Sequence, residues 1–414
     1  MKTQISRAGA LLFIVTACTS FADVASKTPK WTAQPGKPTY FINSVAVSAD
    51  GSRVVGGTFY HDYGTTKRSD YKDTTSTNSD QGTYGTYCYD QNGALLWKDE
   101  FNGYEGTYWV DISTDGTYAA SGGKATTKAG FVRAYAVAGT GSTRKRLLDY
   151  PTTSRVNQVG LSADGTWLAA GAEKLYLFKR GADGTYKLTG SYDAGSTVET
   201  IGISADGTRV ICGSYQSLLF VFDNTDGTLA KPTQWKLPSS YSHSIRLTPD
   251  GKIFVAGGPS GYVYYFDIDE LRKTGKPTLS YQCPAQSAVY GVAVVDDGSY
   301  FAGVCNNSSA DKKGLVFYIQ RNGSTGTLKW TYKTDRNPNC VSLNQAAGLA
   351  AVADGHPDGS PGNFYLLDTT TTNPDGNLLW QYGTGNMSWP IMISQKGNAI
   401  AAGSDDSKIY YFTP

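Results

Sequence analysis

The chain rewrites one short phrase eight times. It reads VAVSADGSRVVGG from Val45, VDISTDGTYAASGG from Val110, VGLSADGTWLAAG from Val159 and IGISADGTRVICG from Ile201. The series continues with IRLTPDGKIFVAGG from Ile245, VAVVDDGSYFAG from Val292, VSLNQAAGLAAVADG from Val341 and IMISQKGNAIAAGS from Ile391. Successive copies begin 42 to 65 residues apart, a period suited to one small sheet per copy and too long for most solenoids.

Each unit reads as four strands. An alternating first strand runs into Asp-Gly or its equivalent, a tight turn in which Gly accepts positive φ, and a small or β-branched return strand follows. Third strands come after a variable loop: Lys174 to Phe178, Leu218 to Phe222, Tyr262 to Phe266, Asn363 to Leu367 and Lys408 to Phe412. Fourth strands often carry tryptophan, at Trp97, Trp235, Trp330 and Trp380. Equivalent positions in successive units point these indoles to packing between units rather than to a ligand. The eighth unit has no fourth strand after Phe412, and Pro29-Lys30-Trp31-Thr32 matches the missing pattern. The expected fold is all-β: an eight-bladed β-propeller, four antiparallel strands per blade, with the last blade closed by the N-terminal strand, so that no long sheet edge is left exposed.

The unit, VxxSxDGxxxAAG followed by a loop, YLFD, Gly and LLW, resembles the repeats of quinoprotein-dehydrogenase-like propellers, also called PQQ-like repeats, and more loosely those of WD-repeat proteins. The resemblance covers nearly the whole mature chain and implies fold; the same fold hosts enzymes, scaffolds and assembly factors. The adjacent Cys-Cys pair of quinoprotein alcohol dehydrogenases is missing, as are the Gly-His and Trp-Asp signatures of WD repeats. No cofactor is therefore carried over, and PQQ with calcium enters only in the alternative reading, an oxidoreductase.

Composition excludes other classes. Of 414 residues 48 are Gly and 29 Tyr, 17% are charged and the formal charge is +2, which fits neither a disordered chain nor a basic nucleic-acid binder. Lys2 and Arg7 precede the apolar run Ala8 to Ala17, short for a membrane span and suited to a signal peptide. Cleavage after Ser20-Phe21-Ala22 gives a signal peptide over 1–22 and one propeller domain over 23–414, exported to the periplasm or outside the cell. Val15-Thr16-Ala17-Cys18 resembles a lipobox that would instead lipidate Cys18. Soluble export is the preferred expectation, because Val15 stands where Leu is usual, and a monomer is expected.

The mature chain keeps Cys88, Cys212, Cys283, Cys305 and Cys340, with no metal-like spacing. Cys305 with Cys340 is the first expected disulfide, since the register puts both near one rim.

Strand parity locates the variable sequence. The Asp-Gly turns share one face, where uniformity argues against a small-molecule site. The opposite face collects the blade-one insertion, about 58–83, the loop from Cys305 to Lys313 and the loop from Asp354 to Gly362. Asn43, Trp109, Arg155, Asn157, Glu199, His243, Tyr290, Arg336, Asn339 and Trp389 are expected to ring the channel there as a ligand-binding rim. Two guanidinium groups, one carboxylate, amides and aromatic faces suit a polar, planar or carbohydrate-like ligand, although propeller channels often hold only water and mutually satisfied polar side chains.

His61, His243 and His356, with Asp62, Asp354 and Asp358, map to the same face, but units one and five are too far apart to share one ion, and no metal site is assigned. The acidic loop Asp354 to Asp358 is a calcium candidate or a tight turn. No GxSxG elbow, phosphate-cradling loop or HExxH is present; a glycosidase-like carboxylate pair could be drawn from distant blades, with Glu105, Glu199 and Asp62 the candidates, each read first as a solvated or salt-bridged surface group. The function expected is a non-catalytic binding or assembly module that takes a protein partner or a small polar or carbohydrate ligand. A quinoprotein oxidoreductase, with Arg155 and Arg336 on the quinone carboxylates, and a polysaccharide-acting lyase or hydrolase are the alternatives.

Overall fold

The computed structural model describes residues 26–60, 82–126, 128–138, 146–306, 313–371 and 377–414. The leader with Cys18, His61, Asp62 and most of the blade-one insertion lie outside the described residues.

The repeated phrase folds as it does because its turn closes on itself. In the first copy Ser48 Oγ donates to Asp50 Oδ1 (2.8 Å), Ser52 N donates to the same oxygen (2.9 Å), and Arg53 N donates to Ser48 Oγ (3.0 Å). Ser113 with Asp115, Ser162 with Asp164, Ser204 with Asp206 and Thr248 with Asp250 repeat the contact. Such local side-chain bonds satisfy turn amides that no strand reaches. Gly207 shows why the next residue is glycine: its φ is +72°, and a Cβ there would stand 2.1 Å from the Trp167 ring.

The strands on either side form antiparallel meanders in chain order. Unit three is typical, with Gln158–Leu161, Trp167–Gly171, Leu175–Arg180 and Tyr186–Tyr192 paired successively. Units one and two join in one eight-stranded sheet through a single pairing, Phe59 against Gly106. Unit four carries an extra short strand, Thr228–Leu229. Unit five holds a helix that its sequence pattern did not announce, Ile268–Thr274, between its third and fourth strands; Asp267 caps it by accepting from Asp269 N and Glu270 N, and Gly275 at φ 68° ends it.

The inner strands neighbour one another in a closed cycle. Phe41–Val47 lies beside Gly106–Ile112, and the succession runs through Gln158–Leu161, Val198–Ile203, Ser244–Leu247, Val289–Val294 and Pro338–Asn344 to Ser388–Ile393, which lies beside Phe41–Val47 again. The N-terminal strand Trp31–Ala33 pairs with Ile409–Phe412, Trp31 opposite Tyr411. The Trp31 ring stacks on Tyr411 (5.3 Å between centroids) and meets Tyr89 of unit one (5.6 Å). Hydrophobic clusters bridge successive units in the same way: Trp97 packs on Tyr135, Trp235 on Tyr264 and Phe266, and Trp380 on Phe412.

The disulfide differs from the expected pair. Cys283, just past the outer strand Leu279–Gln282 of unit five, bonds Cys305 at the end of the second strand of unit six. Both lie in one core cluster between these units, whereas Cys340 belongs to the inner strand of unit seven, its Sγ 3.7 Å from Ile391 O. The sequence placed Cys305 correctly on its rim; only packing shows that the unit before it, not the unit after, supplies the partner. No helix among the described residues is long and apolar enough to cross a membrane.

Candidate binding rim

Two residues upstream of each anchoring Val or Ile of the phrase, the units carry Asn43, Tyr108, Asn157, Glu199, His243, Tyr290, Asn339 and Trp389 in turn. At this position the pairing of first and second strands slips: the register shifts between Ile42 and Val45, Thr107 and Trp109, Val198 and Thr200, Val289 and Gly291, Pro338 and Cys340, and Ser388 and Ile391. A bulge leaves its extra residue out of the ladder and re-aims the side chain. In units three and five the strand starts just after this residue. One irregularity of the backbone thus presents one side chain per unit at the loop-side mouth.

Three of them are spent on the ring. Asn43 Nδ2 donates to Tyr108 O (3.0 Å), Asn157 Nδ2 to Val198 O (3.1 Å) and Asn339 Nδ2 to Ser388 O (2.9 Å), each in the next unit. The side-chain oxygen of Asn157 also accepts from Arg155 Nε (2.9 Å). Their equivalence across units was visible in the sequence, and it marks a structural tie by the same reasoning that applies to the tryptophans. Trp109 lies one residue off the bulge and packs against the core between units two and three, so Tyr108, absent from the expected rim, holds the equivalent place.

The remaining side chains build a continuous arc from unit two to unit six. Glu105, expected at the surface, is buried and takes Lys124 Nζ at 3.0 Å and Arg155 Nη1 at 3.5 Å. The Arg155 guanidinium lies over the Tyr108 ring, 4.3 Å from its centroid. Beyond Asn157 stands Glu199, only partly exposed, whose Oε2 has no hydrogen-bond partner among the described residues. Burial pushes the Glu199 carboxyl above its ordinary pKa, against the opposing pull of the Tyr215 hydroxyl and of Arg155. Tyr215 meets Tyr241 edge-on (4.6 Å), Tyr241 meets His243 (4.8 Å) and His243 stacks on Tyr290 (4.7 Å). Burial holds His243 down at about 4, so its ring is neutral near pH 7.

Arg336 and Trp389 do not join this arc. Both are half-buried in units seven and eight. Arg336 donates its backbone N–H to Asp354 Oδ2 (2.8 Å), and the fully buried Asp354 also accepts from Asn363 N, Asn363 Nδ2 and the Tyr365 hydroxyl. Burial raises Asp354 to about 6. This carboxylate organises the loop through its own hydrogen bonds, while Asp358 faces His356 Nδ1 at 3.3 Å; no group of His, Cys, Asp and Glu among the described residues is arranged to hold a metal ion.

The turn face is less featureless than its uniform sequence suggested. Backbone bonds link successive turns: Lys396 N to Ala49 O, Ala49 N to Thr114 O, Thr114 N to Ala163 O, Ala163 N to Ala205 O and Ala205 N to Pro249 O. The series stops at Pro249, which has no N–H to pass on. Short turns leave the channel uncovered, and a cavity of about 820 Å³ lies behind them, with Asp111 and Arg246 on its wall. Asp111 accepts from Leu161 N of the next unit (2.7 Å), and burial raises it to about 6.

No protein-family model and no curated protein matches the sequence. Solved structures do. Sqt1 of Chaetomium thermophilum, bound to the N-terminus of the ribosomal protein L10, is similar at a TM-score of 0.68 and 16% identity over 94% of this chain and 100% of that one. Saccharomyces cerevisiae Sqt1 gives 0.67 and 10% over 94% and 100%, and a chain of the mitotic checkpoint complex 0.59 and 12% over 99% of each. These are WD-repeat propellers. At such identities the likeness establishes the fold, a WD-repeat-like β-propeller, and does not extend to the PQQ-like family.

Proposed function

We propose that this chain is an exported, eight-bladed β-propeller, folded as one domain, that binds a protein partner at its loop-side mouth and carries out no chemistry. The single observation behind this reading is the arc Glu199, Tyr215, Tyr241, His243 and Tyr290. There the bulged position departs from its structural use as asparagine and presents a carboxylate and rings instead. The count of eight rests on eight four-strand meanders whose inner strands close in a cycle, two of them fused by the Phe59 and Gly106 pairing. Export is supported by the leader and by the Cys283 and Cys305 disulfide, a bond that persists in oxidising compartments. Release from Asp23 as a soluble periplasmic or extracellular monomer is the favoured form, with lipidation at Cys18 the alternative.

A protein partner is favoured because similar propellers occur with a ribosomal-protein N-terminus and within a checkpoint assembly. A small polar or carbohydrate ligand is the second reading, favoured by the tyrosine faces on the arc. The residues do not suit PQQ with calcium: Arg155 is turned onto Asn157, Glu105 and Tyr108, Arg336 stands in another unit, and Asp354 is engaged by its own loop.

Site-specific photo-crosslinkers test the face. One is placed at Tyr215 on the arc and one at Asp164 on a turn, and the purified protein is mixed with the exported proteins of its own cells. A discrete adduct from Tyr215 alone is expected. Equal adducts from both positions, or none from Tyr215, would overturn the assignment.

A further inference from the structure

We propose that Glu199, with Tyr215, Tyr241, His243 and Tyr290, forms a subsite for an organic cation, the lysine or arginine side chain of an extended segment in the partner. The inference rests on the protein-binding reading above and adds the chemistry of the contact.

Four observations carry it. First, Glu199 Oε2 is shielded from solvent and has no hydrogen-bond partner among the described residues, the carboxyl being drawn only by the Tyr215 hydroxyl and the charge of Arg155. A buried carboxylate oxygen lacking a donor is unfavourable until a donor arrives. Second, the nearest cation does not supply it. Arg155, whose charge is felt at Glu199, directs Nε to Asn157 and Nη1 to Glu105, and its plane covers Tyr108. Third, Lys124 is likewise drawn to Glu105. Fourth, the surface next to Glu199 is aromatic: Tyr215, 41% exposed, leads through Tyr241 to the His243 and Tyr290 stack. The His243 ring is neutral near pH 7 and adds no competing charge. Ring faces and one acceptor beside them match an alkylammonium or guanidinium group, whose charge the rings and the carboxylate both stabilise.

A lysine or arginine at the end of a polypeptide fits better than a free amine because the groups are spread over three successive units. Glu199 and Tyr215 belong to unit four, His243 to unit five and Tyr290 to unit six. A side chain seated on Glu199 leaves its backbone to run along the remaining rings.

Fluorescence anisotropy of labelled short oligoarginine and oligolysine, with oligocitrulline as the uncharged isostere of oligoarginine, tests this on the mature chain. Binding of the two cationic peptides and not of oligocitrulline is expected. Glu199→Gln should weaken it about tenfold, the loss of one charge-assisted hydrogen bond, and Tyr215→Ala by a few fold, with both variants melting as the parent does. Unchanged affinity in Glu199→Gln would overturn the subsite while leaving the Tyr215 crosslinking result, and so the protein-binding reading, intact. Equal binding of oligocitrulline would overturn the cation assignment. Saturation by n-butylammonium with no peptide binding would overturn the polypeptide as its source.

Discussion

Asparagine at positions 43, 157 and 339 and the run Glu199, His243, Tyr290 occupy the same place in their units, and they do opposite things. The asparagines reach across to the next unit and vanish into the ring. His243 stacks on Tyr290 and meets Tyr241, and Glu199 feels the Tyr215 hydroxyl while its Oε2 has no partner among the described residues. The place at the entry to each inner strand therefore offers one side chain per unit, bulged out in six of the units, and the residue placed there decides between cohesion and, on the function proposed, recognition. Cohesion is needed all round the ring; recognition needs only a few adjacent units.

The largest effect expected on this contrast comes from the disulfide. Cys283→Ser with Cys305→Ser opens a loop of sequence separation 22 beside the His243 and Tyr290 stack and should cost about 3 kcal/mol in chemical denaturation. Hydrogen exchange should rise first around units five and six and leave the asparagine-tied units protected; uniform loosening would erase the distinction between the two sides.

Next come the ties themselves. Asn157→Ala and Asn339→Ala each strand a buried carbonyl and should each cost about 1–3 kcal/mol, read from urea midpoints. Glu199→Gln should be neutral or slightly stabilising, because it removes an ionisable group that burial disfavours. The reverse ranking would mean that Glu199 is the structural residue and the asparagines are the spare ones.

The pH dependence gives a finer test. The folded His243 titrates at about 4, against about 6.5 when unfolded. The unfolded chain thus binds more protons between these values, and stability is lost as pH falls from 6.5 to 4. Asp111 and Asp354, raised to about 6, bind their protons in the folded chain first and gain stability over the same descent. Replacing His243 by Gln should remove the loss and leave the gain. The mutant should therefore improve relative to the parent by on the order of 1–2 kcal/mol at pH 4, its partial exposure considered. Parallel stability curves from pH 4 to 7 would show that His243 is not held neutral in the stack.

The smallest effect belongs to the turn face. Asp164→Ala removes acceptors for Ser162 Oγ, Thr166 N and Thr166 Oγ1 and should cost about 1 kcal/mol with no change in binding at the opposite mouth. A binding defect there would mean that the two faces are coupled through the inner strands.

Much of this was legible in the sequence for a plain reason. The Ser-x-Asp-Gly turn is closed by bonds spanning at most five residues, so each copy announces its own geometry, and eight copies announce the strands between. The same local rule made the Asp-Gly face look inert, yet the cavity behind it depends on how far apart the turns stand once the ring is closed. Tyr108, Tyr215 and Tyr241 escaped the sequence reading, and the other rim residues were found because they stand at the entry to each inner strand. Their roles were not, because each role is fixed by a neighbouring unit. Asn157 looked like a ligand amide until Val198 O, 41 residues on, was placed beside it. Glu105 was read as solvated or salt-bridged at the surface, and only the fold shows that its ion pairs with Lys124 and Arg155 are buried, while Cys305 awaited a partner that could lie before or after it in the chain.

The sequence alone therefore determined the repeat, the turn chemistry and the strand order, all set by interactions among residues close in the chain. Tertiary structure alone decided which rim side chains hold the ring together and which are left out of that task. Whether a polar atom at a bulge finds a donor depends on the unit next door, and that neighbour is supplied only when the chain closes into a circle.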